Sequence, residues 1–122
     1  MDAQIKTLEG PGGSIVEVLP DQNLFGQGEE PNDLLGLAWG AEALGLLLHG
    51  SAFAPQFFDL KTGIAGEVLQ KMVNYHCRAA FLIEDLEAYD IRVQELAHDH
   101  RRHPTVRFFS EKEAALDWLW ST

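Results

Sequence analysis

Short apolar runs alternate with longer segments of helical periodicity along the chain. Apolar and β-branched residues at 4–8 and 14–19 predict two strands, and the glycine-rich stretch EGPGGS between them predicts the turn of an antiparallel hairpin. The continuous apolar runs GLLLH (45–49) and CRAAFLI (77–83) are typical of strands buried on both faces. A last strand is predicted at 105–109 (TVRFF). The pattern therefore predicts five strands.

Four segments carry apolar residues at helical spacing and predict helices. The first begins at Asn32 or Asp33 and ends near 43, and the second begins at Lys61 or Thr62 and ends near 75. The third begins after a cap at Asp90 and ends before Pro104, and the fourth begins at a capping box over 110–113 (SEKE) and ends at 120. Loops are predicted at 20–31, 51–58 and 84–89. Gly36 and Gly40, one turn apart, indicate close packing of the first helix against the sheet. The order ββαβαβαβα predicts a single α/β domain over 1–122, with a mixed, mostly parallel sheet flanked by helices.

Charge and cysteine content narrow the functional classes. The chain has 19 acidic and 9 basic residues and a formal net charge of −10, which disfavours binding to nucleic acid and to anionic membranes. Cys77 is the only cysteine, so no intrachain disulfide forms, and a reducing, cytoplasmic location fits. Cys77 begins a predicted buried strand, which indicates a structural role. The first nine residues show no signal-peptide pattern.

Two segments resemble a known family. FFDLKTGIAGEVLQKMVNY (57–75) and AAFLI (79–83) closely resemble the core of an uncharacterised bacterial family, domain-of-unknown-function family 4180, and the resemblance extends over roughly 5–119. The element order also resembles the STAS-like group, which includes the anti-sigma-factor antagonists. DLKTG (59–63) is similar to their loop, in which an aspartate and paired serines precede a glycine, and 106–119 is similar to their closing strand and helix.

The resemblance implies a STAS-like sandwich and a bacterial regulatory module that acts by binding a protein rather than by catalysis. In the antagonists, a partner kinase phosphorylates a serine in that loop. Only Thr62 could fill this place here, because Leu60 and Lys61 depart from the serine pattern. Whether Thr62 is such a switch or only a helix cap stays open.

Candidate binding residues converge on one edge of the predicted sheet, since the carboxyl ends of parallel strands meet there and ligands bind beyond them. These candidates are His49, Glu84 and Asp85 at the strand ends, and Phe57, Phe58, Asp59, Lys61, Thr62 and Gly63 before the second helix. Backbone N–H groups and Lys61 would suit an anion, whereas Asp59, Glu84 and Asp85 make the edge acidic.

Three functions fit these residues. The first is protein-partner binding, with a homodimer as a further option if Trp118 or Trp120 is exposed, because residues two apart on a helix cannot both face one core. The second is a small-molecule carrier or sensor, with a pocket near the 57–66 turn walled by Phe53, Phe57 and Phe58. The third is an enzyme that uses Asp59, Glu84 or Asp85, which would require a carboxyl pKa raised by burial or by a neighbouring charge.

No cofactor or metal is predicted. The chain has no phosphate-binding or dinucleotide glycine motif and no nucleophile elbow. The cluster HDHRRH (98–103) offers Asp99, His100 and His103 as metal ligands, but its histidines point in different directions around a helix. Cations also suit a helix C-terminus, which is the interpretation we favour.

Overall fold

The computed structural model describes residues 2–121, and it confirms the predicted alternation of strands and helices while adding one short helix. The strands are β1 (Ile5–Gly10), β2 (Gly13–Val18), β3 (Gly45–His49), β4 (Arg78–Leu82) and β5 (Val106–Phe109). The helices are α1 (Pro31–Gly40), α2 (Pro55–Phe58), α3 (Ile64–Asn74), α4 (Ile91–Asp99) and α5 (Lys112–Trp120). None of the helices in the described residues is long and apolar enough to cross a membrane.

The sheet is mixed and mostly parallel, as predicted. Its strands lie in chain order, β1-β2-β3-β4-β5, with β1 antiparallel to β2 and the other neighbours parallel. Each crossover from β2 onward therefore steps in the same direction along the sheet. Because such crossovers are right-handed, the helices that connect these strands are expected on the same face.

The two faces of the sheet carry cores of different size. Buried side chains of α1, α3 and α4, such as Leu35, Val68 and Val93, pack on the face that presents Leu48 and Phe81. The other face, which includes Leu47, is covered by α5 through Ala115 and Leu119. Alternate strand residues point to opposite faces, and both faces are covered, so β3 reads as a continuous apolar run.

Helix α5 is fastened at its C-terminal end. The Arg78 guanidinium donates hydrogen bonds to the carbonyls of Trp118 (2.7 Å), Leu119 (3.1 Å) and Ser121 (3.2 Å) at the end of the helix. The Trp120 indole N–H donates to the Gly13 carbonyl at 3.3 Å. Both tryptophans are half-buried against the sheet. Neither is the exposed side chain on which the homodimer option depended, and the homodimer stays a prediction.

Two predicted helix starts are wrong. No capping box forms at Ser110, because α5 begins at Lys112 with Glu111 as its cap and without a side-chain cap bond. Helix α1 begins at Pro31, where the fixed φ of proline suits the first helical position. Asp33 is therefore not the cap itself, and its carboxylate instead accepts a hydrogen bond from the backbone N–H of Glu30 at 2.9 Å.

The connection between β3 and α3 also differs from the prediction. The predicted loop at 51–58 contains α2, and the helix expected from Lys61 or Thr62 begins only at Ile64. Leu60–Thr62 forms a separate 3₁₀ turn, and Gly63 follows with φ of 79°. A residue in this left-handed conformation interrupts a right-handed helix, so the turn and α3 are distinct elements.

Gly36 offers a test of α1. The predicted close packing of Gly36 and Gly40 is wrong, since a Cβ at either position would meet nothing within 4 Å. We expect Gly36→Ala to raise the free energy of unfolding by about 0.5–1 kcal/mol, because alanine reduces the entropy lost on helix formation. Urea denaturation measures this change. Gly63→Ala is the matched control and should lower stability, since its φ of 79° strains any side chain.

Candidate functional site

A cleft with a volume of about 620 Å³ opens at the carboxyl edge of the sheet. One wall is the connection after β3, which comprises Gly50, Ser51, Phe53, α2 and the 3₁₀ turn Leu60–Thr62. The other wall comprises Ala88, Tyr89 and the start of α4, including Arg92 and Val93. The volume of the cleft lies in the usual range of ligand-binding sites.

Aromatic side chains form the apolar part of the cleft. Phe58 meets Tyr89 edge to face, with ring centroids 5.2 Å apart, and meets Phe53 in the same geometry at 6.0 Å. Phe57 does not line the cleft; it is fully buried behind Phe58 and stacks on Phe53 at 4.3 Å. Both adjacent phenylalanines therefore belong to the core, and only Phe58 also lines the cleft.

Gly50 lets Tyr89 approach the end of β3. A Cβ at Gly50 would lie 2.9 Å from the Ile83 side chain, which is too close, and 3.1 Å from the Tyr89 hydroxyl, which is a tight contact. Burial raises the pKa of Tyr89 above its ordinary value of 10.0. The hydroxyl is therefore a neutral hydrogen-bond donor at physiological pH.

Hydrogen bonds within the Asp59–Gly63 turn fix one wall of the cleft. The Asp59 carboxylate accepts from the Lys61 backbone N–H at 3.2 Å. The Thr62 hydroxyl lies 2.9 Å from the carbonyls of both Gln56 and Asp59, and it accepts from the Ile64 N–H at 3.3 Å. Asp59 thus caps the 3₁₀ turn and Thr62 braces it, whereas α3 itself has Gly63 at its N-cap and no side-chain cap bond. The phosphorylation switch at Thr62 stays a prediction.

The opposite wall is fixed in a similar way. The Asp90 carboxylate accepts from the Arg92 backbone N–H at 2.8 Å, which confirms Asp90 as the cap of α4. The Gln94 side-chain amide donates to the Tyr89 carbonyl at 2.9 Å. Both walls are therefore shaped by internal bonds before any ligand arrives.

The charged groups of the cleft are not paired with one another. Among residues 2–121, ion pairs within 4.0 Å form only on Glu17, so the Lys61 ammonium and the Arg92 guanidinium have no carboxylate partner. Asp59 and Asp90, by contrast, already accept hydrogen bonds from backbone N–H groups. The cations are the charged groups of the cleft that are left without a partner.

The predicted site residues separate into three groups. Phe58, Asp59 and Lys61 line the cleft, while Thr62 and Gly63 shape the turn that carries them. Phe57 belongs to the core. The remaining three, His49, Glu84 and Asp85, do not line the cleft.

An ionic cluster around a buried carboxylate lies on the face of the sheet that α5 covers, and it was not predicted from the sequence. The Glu17 carboxylate is 3% exposed and lies 2.6 Å from the His49 imidazole Nε2 and 3.0 Å from the Lys112 ammonium. The cluster joins β2, β3 and the start of α5. A single charged residue inside the apolar strand SIVEVL was the available signal.

The pKa of Glu17 records the balance of forces in this cluster. Burial alone would raise the pKa of the carboxyl group. The hydrogen bonds from His49 and Lys112, with their positive charge, outweigh burial and hold the pKa below its ordinary value of 4.5. The carboxylate is therefore the form that the fold stabilises.

The side chains considered for catalysis lack the required surroundings. Asp59, Glu84 and Asp85 are all exposed, so burial does not tune them for acid–base chemistry. Cys77 is buried, and burial raises the pKa of its thiol to about 11, so it stays protonated, in agreement with the predicted structural role.

The histidines after α4 act in local hydrogen bonding. His103 Nδ1 accepts from the backbone N–H groups of Thr105 (3.0 Å) and Val106 (3.2 Å), and burial with the nearby charges of His100 and Arg107 lowers the pKa of His103. His100 Nδ1 lies 2.9 Å from the Leu96 carbonyl at the end of the helix. Within the described residues, no three His, Cys, Asp or Glu side chains are grouped as metal ligands.

The family model for a domain of unknown function, DUF4180, matches residues 11–119. The chain belongs to the DUF4180 family. No curated protein and no solved structure matches it significantly. The segment that this DUF4180 match covers includes every residue that lines the cleft and the whole Glu17 cluster.

Proposed function

We propose that this DUF4180 domain is a non-catalytic, cytoplasmic regulatory module that binds a segment of a partner protein in the carboxyl-edge cleft. The observation that carries the proposal is the cleft itself, whose two walls are shaped by their own hydrogen bonds. A preformed site loses little conformational entropy on binding. The exposed carboxylates at this edge support binding rather than acid–base catalysis.

The resemblance to STAS-like regulators supports a protein as the occupant. In that resemblance, the turn before the second main helix is the contact region, and here Asp59 and Lys61 of that turn line the cleft. The sequential strand order, with three parallel pairings after an antiparallel β1, is compatible with it. Thr62 would adjust binding if it were phosphorylated, because its hydroxyl bonds hold the turn.

Filling the cleft tests this function. Ala88 is exposed and lines the cleft, so Ala88→Trp should occupy it without disturbing the core. Chemical cross-linking and quantitative mass spectrometry in cells that naturally contain the protein identify the partner. We expect the recovery of a specific partner to fall about tenfold or more with this variant. Ala114→Trp, at an exposed position of α5 outside the cleft, is the matched control and should retain the partner. Equal recovery with both variants would contradict the proposal.

A small molecule is the second candidate occupant, because Phe53, Phe58 and Tyr89 form an aromatic wall. The same pair of variants separates the two candidates. Native mass spectrometry of protein purified from those cells would show a bound small mass with the wild type and Ala114→Trp but not with Ala88→Trp. A cross-linked partner without such a mass supports the protein-binding function.

A further inference from the structure

The apolar part of the cleft selects for one large side chain. Phe53, Phe58 and Tyr89 line it, and Val93 of α4 completes this surface. Phe53 and Phe58 are 6% and 9% exposed, so their rings are held by the core and cannot collapse into the space. Rigid aromatic walls of this kind take up an apolar anchor residue of a partner.

The polar part of the cleft selects for an anion. Asp59 and Asp90 accept backbone hydrogen bonds, while Lys61 and Arg92 have no carboxylate within 4.0 Å among the described residues. The Tyr89 hydroxyl adds a neutral donor at the end of β3. Charge-assisted hydrogen bonds from such cations to a carboxylate are stronger than neutral ones.

The limited number of cations indicates a short ligand of low charge. Two cations suit one or two carboxylates, whereas nucleic-acid binding commonly involves several phosphate contacts. The net charge of −10 also repels a polyanion at long range. Asp59 and Asp90 also line the cleft and balance the two cations in formal charge, which again favours a ligand of low charge.

We propose that the cleft recognises a partner segment in which a large apolar side chain lies within a few residues of an aspartate, a glutamate or a terminal carboxylate. The apolar side chain packs on the surface that Phe53, Phe58, Tyr89 and Val93 line, and the carboxylate binds Lys61 and Arg92. This inference rests on the proposed protein-binding function and adds the chemistry of the partner.

Peptide selection tests this chemistry. A random-peptide phage library is selected on the full chain and depleted on Ala88→Trp, and enriched peptides should combine a large apolar residue with Asp or Glu. One enriched peptide and its Glu→Gln or Asp→Asn form are then measured by fluorescence anisotropy. We expect the amide form to bind the wild type about tenfold more weakly.

A double-mutant comparison assigns that difference to the two cations. With Lys61→Gln/Arg92→Gln, the acid and amide peptides should bind equally, whereas the matched control Lys71→Gln/Arg102→Gln, which removes two cations outside the cleft, should keep the difference. Equal binding of the two peptides to the wild type would overturn the carboxylate inference and leave cleft binding intact. If depletion on Ala88→Trp removed every peptide that the wild type selects, binding would lie outside the cleft, which would instead contradict the proposed function.

Discussion

Replacing Phe57 by alanine is expected to lower the free energy of unfolding by about 3–5 kcal/mol. Phe57 is fully buried and contacts the rings of Phe53, Phe58 and Phe81 at centroid distances of 4.3, 4.9 and 6.1 Å. Truncation removes this apolar area from the core and leaves a cavity that rigid neighbouring rings cannot fill. Because a domain is stable by only about 5–15 kcal/mol, the variant should be close to unfolding.

Urea denaturation followed by circular dichroism measures the effect. Ile91→Ala is the matched control, since Ile91 is 61% exposed and its truncation should change stability by no more than about 0.5 kcal/mol. If Phe57→Ala cost as little as this control, Phe57 would not be a core residue. The sequence assigned it to the binding site, and this comparison decides between the two roles.

Local patterns predicted the strands well. The apolar run of β3 was predicted with the bounds Gly45–His49 that the structure has, and Asp90 caps α4 as expected. These features depend on neighbouring residues, such as hydrophobic periodicity and a side chain that bonds the next turn. The fold class followed from their order.

The start of α5 could not be read from local sequence. The SEKE pattern indicated a cap at Ser110, yet the first helical residue is Lys112, whose ammonium contacts Glu17 of β2. This contact joins segments that are distant in the chain, and a local capping pattern does not report it. The position of His49 could not be predicted from local sequence either. Both faces of β3 are buried, so its apolar run does not show that the His49 side chain lies on the same face as Glu17.

The candidate site was predicted in part. Phe58, Asp59 and Lys61 line the cleft, but its second wall, with Tyr89 and Arg92, was missed. The second wall lies against the first because the connection after β3 folds into α2 and a 3₁₀ turn, which packs Phe58 against Tyr89. Such packing depends on the tertiary fold, although the aromatic residue beside the Asp90 cap was a signal that could have been used.

Replacing Glu17 by glutamine is expected to lower the free energy of unfolding by about 2–3 kcal/mol near neutral pH. The carboxylate is 3% exposed and accepts hydrogen bonds from His49 at 2.6 Å and Lys112 at 3.0 Å. Glutamine preserves the volume but removes the charge, and its NH₂ group would face donors. The variant therefore loses two charge-assisted bonds, one from β3 and one that ties α5 to the sheet.

The loss should depend on pH in a defined direction. The pKa of Glu17 in the fold lies below its ordinary value of 4.5, so folding favours the carboxylate. This contribution is present above pH 4.5 and disappears as pH falls through the folded-state pKa, where the carboxyl group is protonated. Glutamine does not titrate, so the stability difference between wild type and variant should shrink in this acidic range.

Urea denaturation of both proteins across that range measures the difference directly. The pKa of Glu29 is also held low, because backbone hydrogen bonds from Phe25 and Gln27 outweigh its burial, but Glu29 is present in both proteins and its effect cancels. Glu9→Gln, at an exposed position on neighbouring β1, is the matched control and should be as stable as the wild type within about 0.5 kcal/mol. A difference between wild type and Glu17→Gln that stayed constant down to low pH would show that Glu17 acts through its shape and not through its charge.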